Sequence, residues 1–234
     1  MDIAPTPAAA ERPSPARVHV GERARARLAD LDLDDVDLLE VCREGFRSAA
    51  DQFSPFEPVT AFGFQRWAKT VGRLRDVLDG AGWSRLDINN APRSLSPDGT
   101  GLIAAIAGDE RTGDPDAVPS NARARGITFT REVTENASSA TTAPARVPLL
   151  FDQTTFATVP GLAPRTTRVL LYFWDRAADE IRAEDSLPEA IEGGRVTSWR
   201  ERILLGAAPL AGVMPLDSLG DLPSDDIEFD VEAV

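Results

Sequence analysis

Arg168-Val-Leu-Leu-Tyr-Phe-Trp174 is the stretch on which the fold turns. Its apolar part, Val169–Trp174, is matched in length by Leu102–Ala107, and both are far short of the ~18–20 residues that a membrane span needs. β-branched and aromatic side chains in a run of this length predict a strand. Asp175–Asp179 then reads as a turn, and Glu180–Ser186 as the returning partner of a hairpin that Pro188 stops. Gly193-Gly194 precedes Arg195–Leu205, whose pattern fits a strand or a helix equally well. Further on, Ile227-Glu-Phe229-Asp-Val231 alternates apolar and acidic residues as a half-buried strand does.

Upstream, Leu102–Ala107 is a short continuous apolar run, the pattern of a strand covered on both faces. Leu86 and Ile88 alternate with polar residues, and Asn89-Asn90 with Pro92 marks a turn. Asp114–Pro148 is rich in Ala, Thr, Ser and Pro and reads mostly as loop, with a weak helix over Thr130–Thr142. Earlier still the period changes to that of helices. From Asp35 to Phe53, Leu39, Cys42, Phe46, Ala49, Ala50 and Phe53 share one face, behind the acidic entry Asp30, Asp32, Asp34, Asp35 and Asp37. Ser54-Pro55-Phe56-Glu57 has the form of a capping box that Pro58 limits to a turn. Thr60 caps a second helix to Asp79, with the stripe Phe64, Trp67, Ala68, Val71, Leu74 and Leu78, and Gly80 and Gly82 stop it. Their short connection predicts an antiparallel pair.

The expected architecture is α+β: a helical pair (31–82) on a mainly antiparallel sheet drawn from the second half, with long loops. Within a single domain at 31–234, residues 83–113 are strands, 114–148 mostly loop and 149–234 β-rich. Residues 1–30, with Pro5, Pro7, Pro13 and Pro15 among Ala and Arg, show no apolar period and read as a disordered leader.

The 234 residues include 38 acids against 25 cations, a formal charge of −13, and Lys69 is the one lysine. Arginine-rich, lysine-poor composition is that of a GC-rich genome, so a bacterial cytoplasmic protein is expected, with no secretory signal in view. One histidine, His19, and one cysteine, Cys42, exclude an internal disulfide and a Cys/His zinc site, which takes roughly four such ligands. Cys42 falls on the buried face of its helix and reads as a core residue. The negative total argues against general nucleic-acid binding.

Four constellations carry chemistry. Asp30-Leu-Asp32-Leu-Asp34 opens like a calcium loop, but Asp35 stands where glycine is needed and Val41 where a bidentate Glu is. Gly108-Asp-Glu-Arg-Thr-Gly113 follows a strand, and Asp109 and Glu110 are the side chains of a hard-cation site; the plainer alternative is a tight surface turn. Asp175, Asp179, Glu180, Glu184 and Asp185 crowd the hairpin, as metal-dependent hydrolysis would need and as a solvated face also shows. Trp199-Arg200-Glu201-Arg202, beside Arg195, combines residue types enriched at interface hot spots; a core tryptophan among surface salt bridges is its alternative. Asn136-Ala-Ser138 matches a glycosylation acceptor without the secretory context that would give it weight.

The leading expectation is a non-catalytic interaction or accessory protein, needing no cofactor, that meets a protein partner or itself through Trp199, Arg195, Arg200 and Arg202. Its acidic tail, with Asp217, Asp221, Asp225, Asp226, Glu228, Asp230 and Glu232 and no cation among them, fits the same reading. The alternative is a metal-dependent hydrolase or nuclease using Asp109, Glu110, Glu184 and Asp185. A third is a DNA-facing regulator using Arg66, Lys69, Arg73 and Arg75. No membrane partner is expected.

Overall fold

A computed structural model describes residues 15–33, 37–54, 56–58, 60–141 and 165–210. Among these, β1 (Arg17–His19), β2 (Ser84–Ile88), β3 (Ala91–Leu95), β4 (Gly101–Ala107), β5 (Thr166–Asp175), β6 (Glu180–Glu192) and β7 (Arg195–Pro209) form one sheet. Its order is β1-β7-β6-β5-β4-β3-β2. The β1–β7 and β4–β5 pairs are parallel and the other neighbours antiparallel, so the α+β class and the mostly antiparallel sheet hold. The helices are α1 (Glu22–Ala29), α2 (Leu38–Gln52), α3 (Ala61–Gly80) and α4 (Ile127–Thr141). No described helix is long and apolar enough to cross a membrane.

Strand alternation divides the core into two layers. Leu170, Tyr172 and Trp174 of β5, with Ile103, Ala105 and Ala107 of β4, pack under α2 and α3. Val169 and Leu171, with Ala104 and Ile106, meet Phe129 and Val133 of α4 on the other side. That two-sided burial is why β4 reads as an unbroken apolar run. A parallel β4–β5 pair requires a crossover between the strands, and α4 lies in it. Under the helical pair, Phe46 stands 4.8 Å from Trp174 and 5.4 Å from Phe62, centroid to centroid. Asp37 starts α2 by accepting the Glu40 N–H at 2.9 Å. α2 and α3 touch where Gly45 meets Thr70: a Cβ at position 45 would sit 2.8 Å from the Thr70 Cα. The Cys42 side chain is buried in this layer, outside any disulfide.

Several expectations are corrected. Residues 17–29, assigned to the disordered leader, form β1 and α1; Ala24 is buried, and β1 adds to the far end of the chain at Glu201–Ile203. Nothing local in a Pro/Ala/Arg-rich segment signals a partner that distant. The sheet also takes β1–β4 from residues 17–107, not from the second half alone. Arg195–Leu205 is strand. In α3 the buried stripe is Phe62, Arg66, Thr70, Leu74 and Leu78, because the close approach at Gly45 turns that ridge inward and leaves Phe64 at the surface. The segment after Asp114 is fastened down, as described below, and its helix starts at Ile127. Ile227–Val231, the acidic tail and the first 14 residues lie outside the described residues.

Pro188 does not stop β6. The strand runs on to Glu192 through register shifts around Leu187–Ala190, the usual accommodation of a residue with no N–H to donate. Asn136 of α4 fills the gap this opens towards β5. Its side-chain amide donates to the carbonyls of Thr167 (2.8 Å) and Pro188 (3.2 Å) and accepts the Thr167 N–H (2.9 Å). The glycosylation match is thus a buried structural side chain. Asn136→Ala leaves three buried backbone groups unpaired and is expected to cost about 1–3 kcal/mol, read as a lowered urea midpoint at unchanged slope.

Candidate functional site

Two arginine–carboxylate networks lie on opposite faces of the sheet, because Glu184 and Asp185 are consecutive on β6 and point in opposite directions. Both carboxylates are wholly buried. On the α4 side, Glu184 takes two bonds from Arg202 (Nε 3.0 Å, a terminal nitrogen 2.5 Å), one from the Ser186 hydroxyl (2.9 Å) and one from the Gly113 N–H (3.0 Å). Arg202 also donates to the carbonyls of Ala117 and Asp114. On the opposite side, Arg168 bridges Asp185 (2.6 Å) and Glu201 (2.7 Å), and Arg27 of α1 reaches Glu201 at 2.8 Å. His19 of β1 stands 3.2 Å from the same carboxylate. Burial alone would raise the Glu201 carboxyl, but its bonds to Arg27 and Arg168 hold it down at about 2. Desolvation pushes the Asp185 carboxyl up against the pull of Arg168. The Arg168 guanidinium is itself raised: its partners outweigh the burial that opposes its charge.

The four proposed catalytic acids are therefore not assembled into one site. Glu184 and Asp185 serve separate arginines. Asp109 accepts the Arg111 N–H at 3.1 Å and its carbonyl accepts the Thr112 N–H at 3.0 Å, the geometry of a tight turn; burial raises its carboxyl. Glu110 is exposed, and the loop meets Glu184 through the Gly113 N–H and not through either acid. Among the described residues, no group of three or more His, Cys, Asp or Glu side chains is placed to hold a metal ion.

The residues proposed for interaction do make contacts, but with this chain. Trp199, 1% exposed, donates its indole N–H to the Pro119 carbonyl at 2.7 Å. Arg195 donates to the Asn121 carbonyl (2.8 Å) and Arg200 to that of Asn136 (2.8 Å), while Arg202 holds Asp114 and Ala117. β7 thus rivets the segment 114–136 to the sheet, and Trp199 and Arg202 present no outer surface. On α3, Arg66 is buried, Arg73 pairs with Glu44 and Asp76, and Arg75 pairs with Asp87. Of the four residues proposed to face DNA, Arg66 is thus buried, Arg73 and Arg75 are engaged in ion pairs with acids of this chain, and Lys69 is half-buried.

Among the described residues there is also a cleft that no sequence motif pointed to. It measures about 750 Å³ and is lined by Val20, Ala24 and Leu28, by Leu38 and Leu39 of α2, and by Leu204, Leu205 and Gly206 of β7, with Gly113 and Pro115 at one side. Its origin is a change of direction. β1 pairs with β7 at Glu201–Ile203, then Gly21, at φ 57, turns the chain off the sheet into α1. β7 continues to Pro209, so beyond Ile203 its outer edge has no strand neighbour among the described residues. A bulge shapes the floor: Ala183 pairs Gly206 and Glu184 pairs Leu204, so Leu205 is the extra residue, with Gly206 at φ 92. Consecutive leucines consequently line the same cleft. Arg25 stands at the rim, exposed, and Asp37 at the other rim is committed to capping α2. Gly21 between a short strand and a helix was the available signal, but it carries meaning only once β1 is known to pair. Compared with protein-family models, with curated proteins and with solved structures, the chain matches none.

Proposed function

We propose that the chain is a non-catalytic interaction protein that takes an extended segment of a protein partner into the cleft between α1 and β7. The observation that carries this is the termination of β1: β7 runs on, and the line β1 would have followed is an open slot with an apolar wall on the helix side. Strand addition at a sheet edge draws affinity from main-chain hydrogen bonds and selectivity from pockets for alternate side chains. Here Ala24, Leu28, Leu38 and Leu39 are the pocket wall and Leu204–Gly206 the edge. The carboxylates that a hydrolase would use support this reading from the other direction, since each buried one is already bonded to arginine.

The test is an affinity selection of random extended peptides on the whole chain, followed by anisotropy titration of those enriched. Peptides with apolar residues at alternate positions are expected. Val20→Asp, at a residue 48% exposed in the cleft, should weaken their binding at least tenfold. Phe56→Asp, at an exposed residue outside the cleft lining, should leave it unchanged. Binding that ignores Val20→Asp overturns the proposal.

A further inference from the structure

We infer that the occupant of this cleft in the free protein is the chain's own segment Ile227-Glu-Phe229-Asp-Val231, which caps the β7 edge until a partner displaces it. The inference rests on the reading of the cleft as a strand-docking groove and adds what fills it.

Three observations lead there. The first is pattern. The cleft joins an apolar wall to a strand edge, and it suits a strand with apolar residues on one face only. Ile227, Phe229 and Val231 make such a face, with Asp226, Glu228, Asp230 and Glu232 on the other. The second is charge. The tail from Asp217 onward has no cation, whereas α1 carries Arg23, Arg25 and Arg27. Arg27 is taken by Glu201; Arg23 and Arg25 are exposed and pair with no carboxylate among the described residues, and Arg25 is at the rim. An acidic segment entering the cleft therefore passes a rim that carries a guanidinium group without a carboxylate partner among the described residues. The third is reach. The described chain leaves the sheet at Leu210, four residues past Gly206, with its N–H on the Asp179 carbonyl at 2.9 Å. Sixteen residues lie between Leu210 and Ile227, enough to span about 55 Å when extended. The segment reaches the cleft of its own molecule without strain, and an intramolecular partner acts at a high effective concentration.

An exposed edge with apolar neighbours is also a liability for aggregation, which proteins counter by covering it. A tail strand with carboxylates outward would do so and would make partner binding a competition, so that affinity for an outside segment depends on how readily the tail leaves.

The experiment compares the full chain with a full-length variant carrying Ile227→Ser, Phe229→Ser and Val231→Ser, by hydrogen exchange at the amides of residues 204–208. Faster exchange in the variant, by at least tenfold and independent of protein concentration, is expected. A synthetic peptide of residues 224–233 should then restore the protection, less effectively when Arg25→Glu is added. Equal exchange in the two chains overturns the inference. Protection of the parent chain that grows with concentration also overturns it, in favour of the tail of a second copy. A neutral peptide of alternating Val, Phe and Thr separates this from the underlying reading. If it protects the variant's 204–208 amides while the 224–233 peptide does not, the cleft is a docking groove and the tail is not its occupant. If neither protects, both fall.

Discussion

An Arg202→Met variant should unfold about 3–5 kcal/mol more easily than the parent chain, the cost of leaving a buried carboxylate without its counter-charge. Glu184 has no route to solvent: it is wholly buried on β6, and its remaining partners are the Ser186 hydroxyl and the Gly113 N–H. The same substitution frees the carbonyls of Asp114 and Ala117, so the segment riveted to β7 should loosen along with it. Denaturant unfolding gives the energy, and limited proteolysis around residues 114–119 gives the location. Adding Glu184→Met removes the stranded charge and should recover at least 1 kcal/mol, though not all, because the Gly113 N–H and Ser186 hydroxyl then lack an acceptor. A loss below 1 kcal/mol for the single variant would show the pair is not the internal brace described here.

The second large effect is on acid stability. With its folded value held at about 2 against an ordinary 4.5, Glu201 contributes stability that is fully present above pH 4.5 and is lost as pH falls towards 2. The shift corresponds to a contribution on the order of 3 kcal/mol, of which about 2 kcal/mol is lost between pH 4.5 and pH 3. Asp185 works in the opposite sense, because burial raises its carboxyl, so the net slope of the parent chain is gentler than Glu201 alone would give. The informative quantity is the difference between the parent and Glu201→Gln. Parent stability should approach that of the variant as pH falls from 5 to 3, measured by urea midpoints at each pH. Parallel curves would mean that Arg27 and Arg168 do not act through this carboxylate.

What could be read in advance was whatever local periodicity decides. The β5 run, the two-sided apolar β4 and the faces of α2 follow from spacing alone, since each buries against whatever layer lies next to it. Trp199 shows where that stops. A tryptophan flanked by arginines looks the same from the sequence whether it faces a partner or the segment carrying Pro119, 80 positions away. Arg66 is comparable: spacing puts an arginine at the surface by default, and only the Gly45–Thr70 approach turns its ridge inward. The acid pair was not legible. The expected hairpin of Arg168–Trp174 with Glu180–Ser186, about a turn at 175–179, pairs Trp174 with Glu180 and so sets Asp185 opposite Val169, whereas the structure pairs Asp175 with Glu180 and sets Asp185 opposite Leu170, diagonal to Arg168 on the same face. That slip of one residue exchanges the faces of Glu184 and Asp185, so the strand bounds alone could not assign either acid to its arginine. The cleft depended on knowing that β1 exists, and no three-residue strand announces itself.

The clasp of β1 and α1 on β7 also fixes an order of events in time. Arg27 and Glu201 are 174 positions apart, the most distant of the side-chain bonds described here. At ~5–20 residues per second of synthesis, the N-terminal clasp waits roughly ten to thirty seconds for its docking strand to be made. Hairpins such as β2–β3 close without that delay. Contacts of such long separation are slow to form in refolding as well, because loop closure precedes their reward. The clasp is thus set to engage late, on a sheet whose other strands are already in place, and the slot beside it comes into being only at that final step.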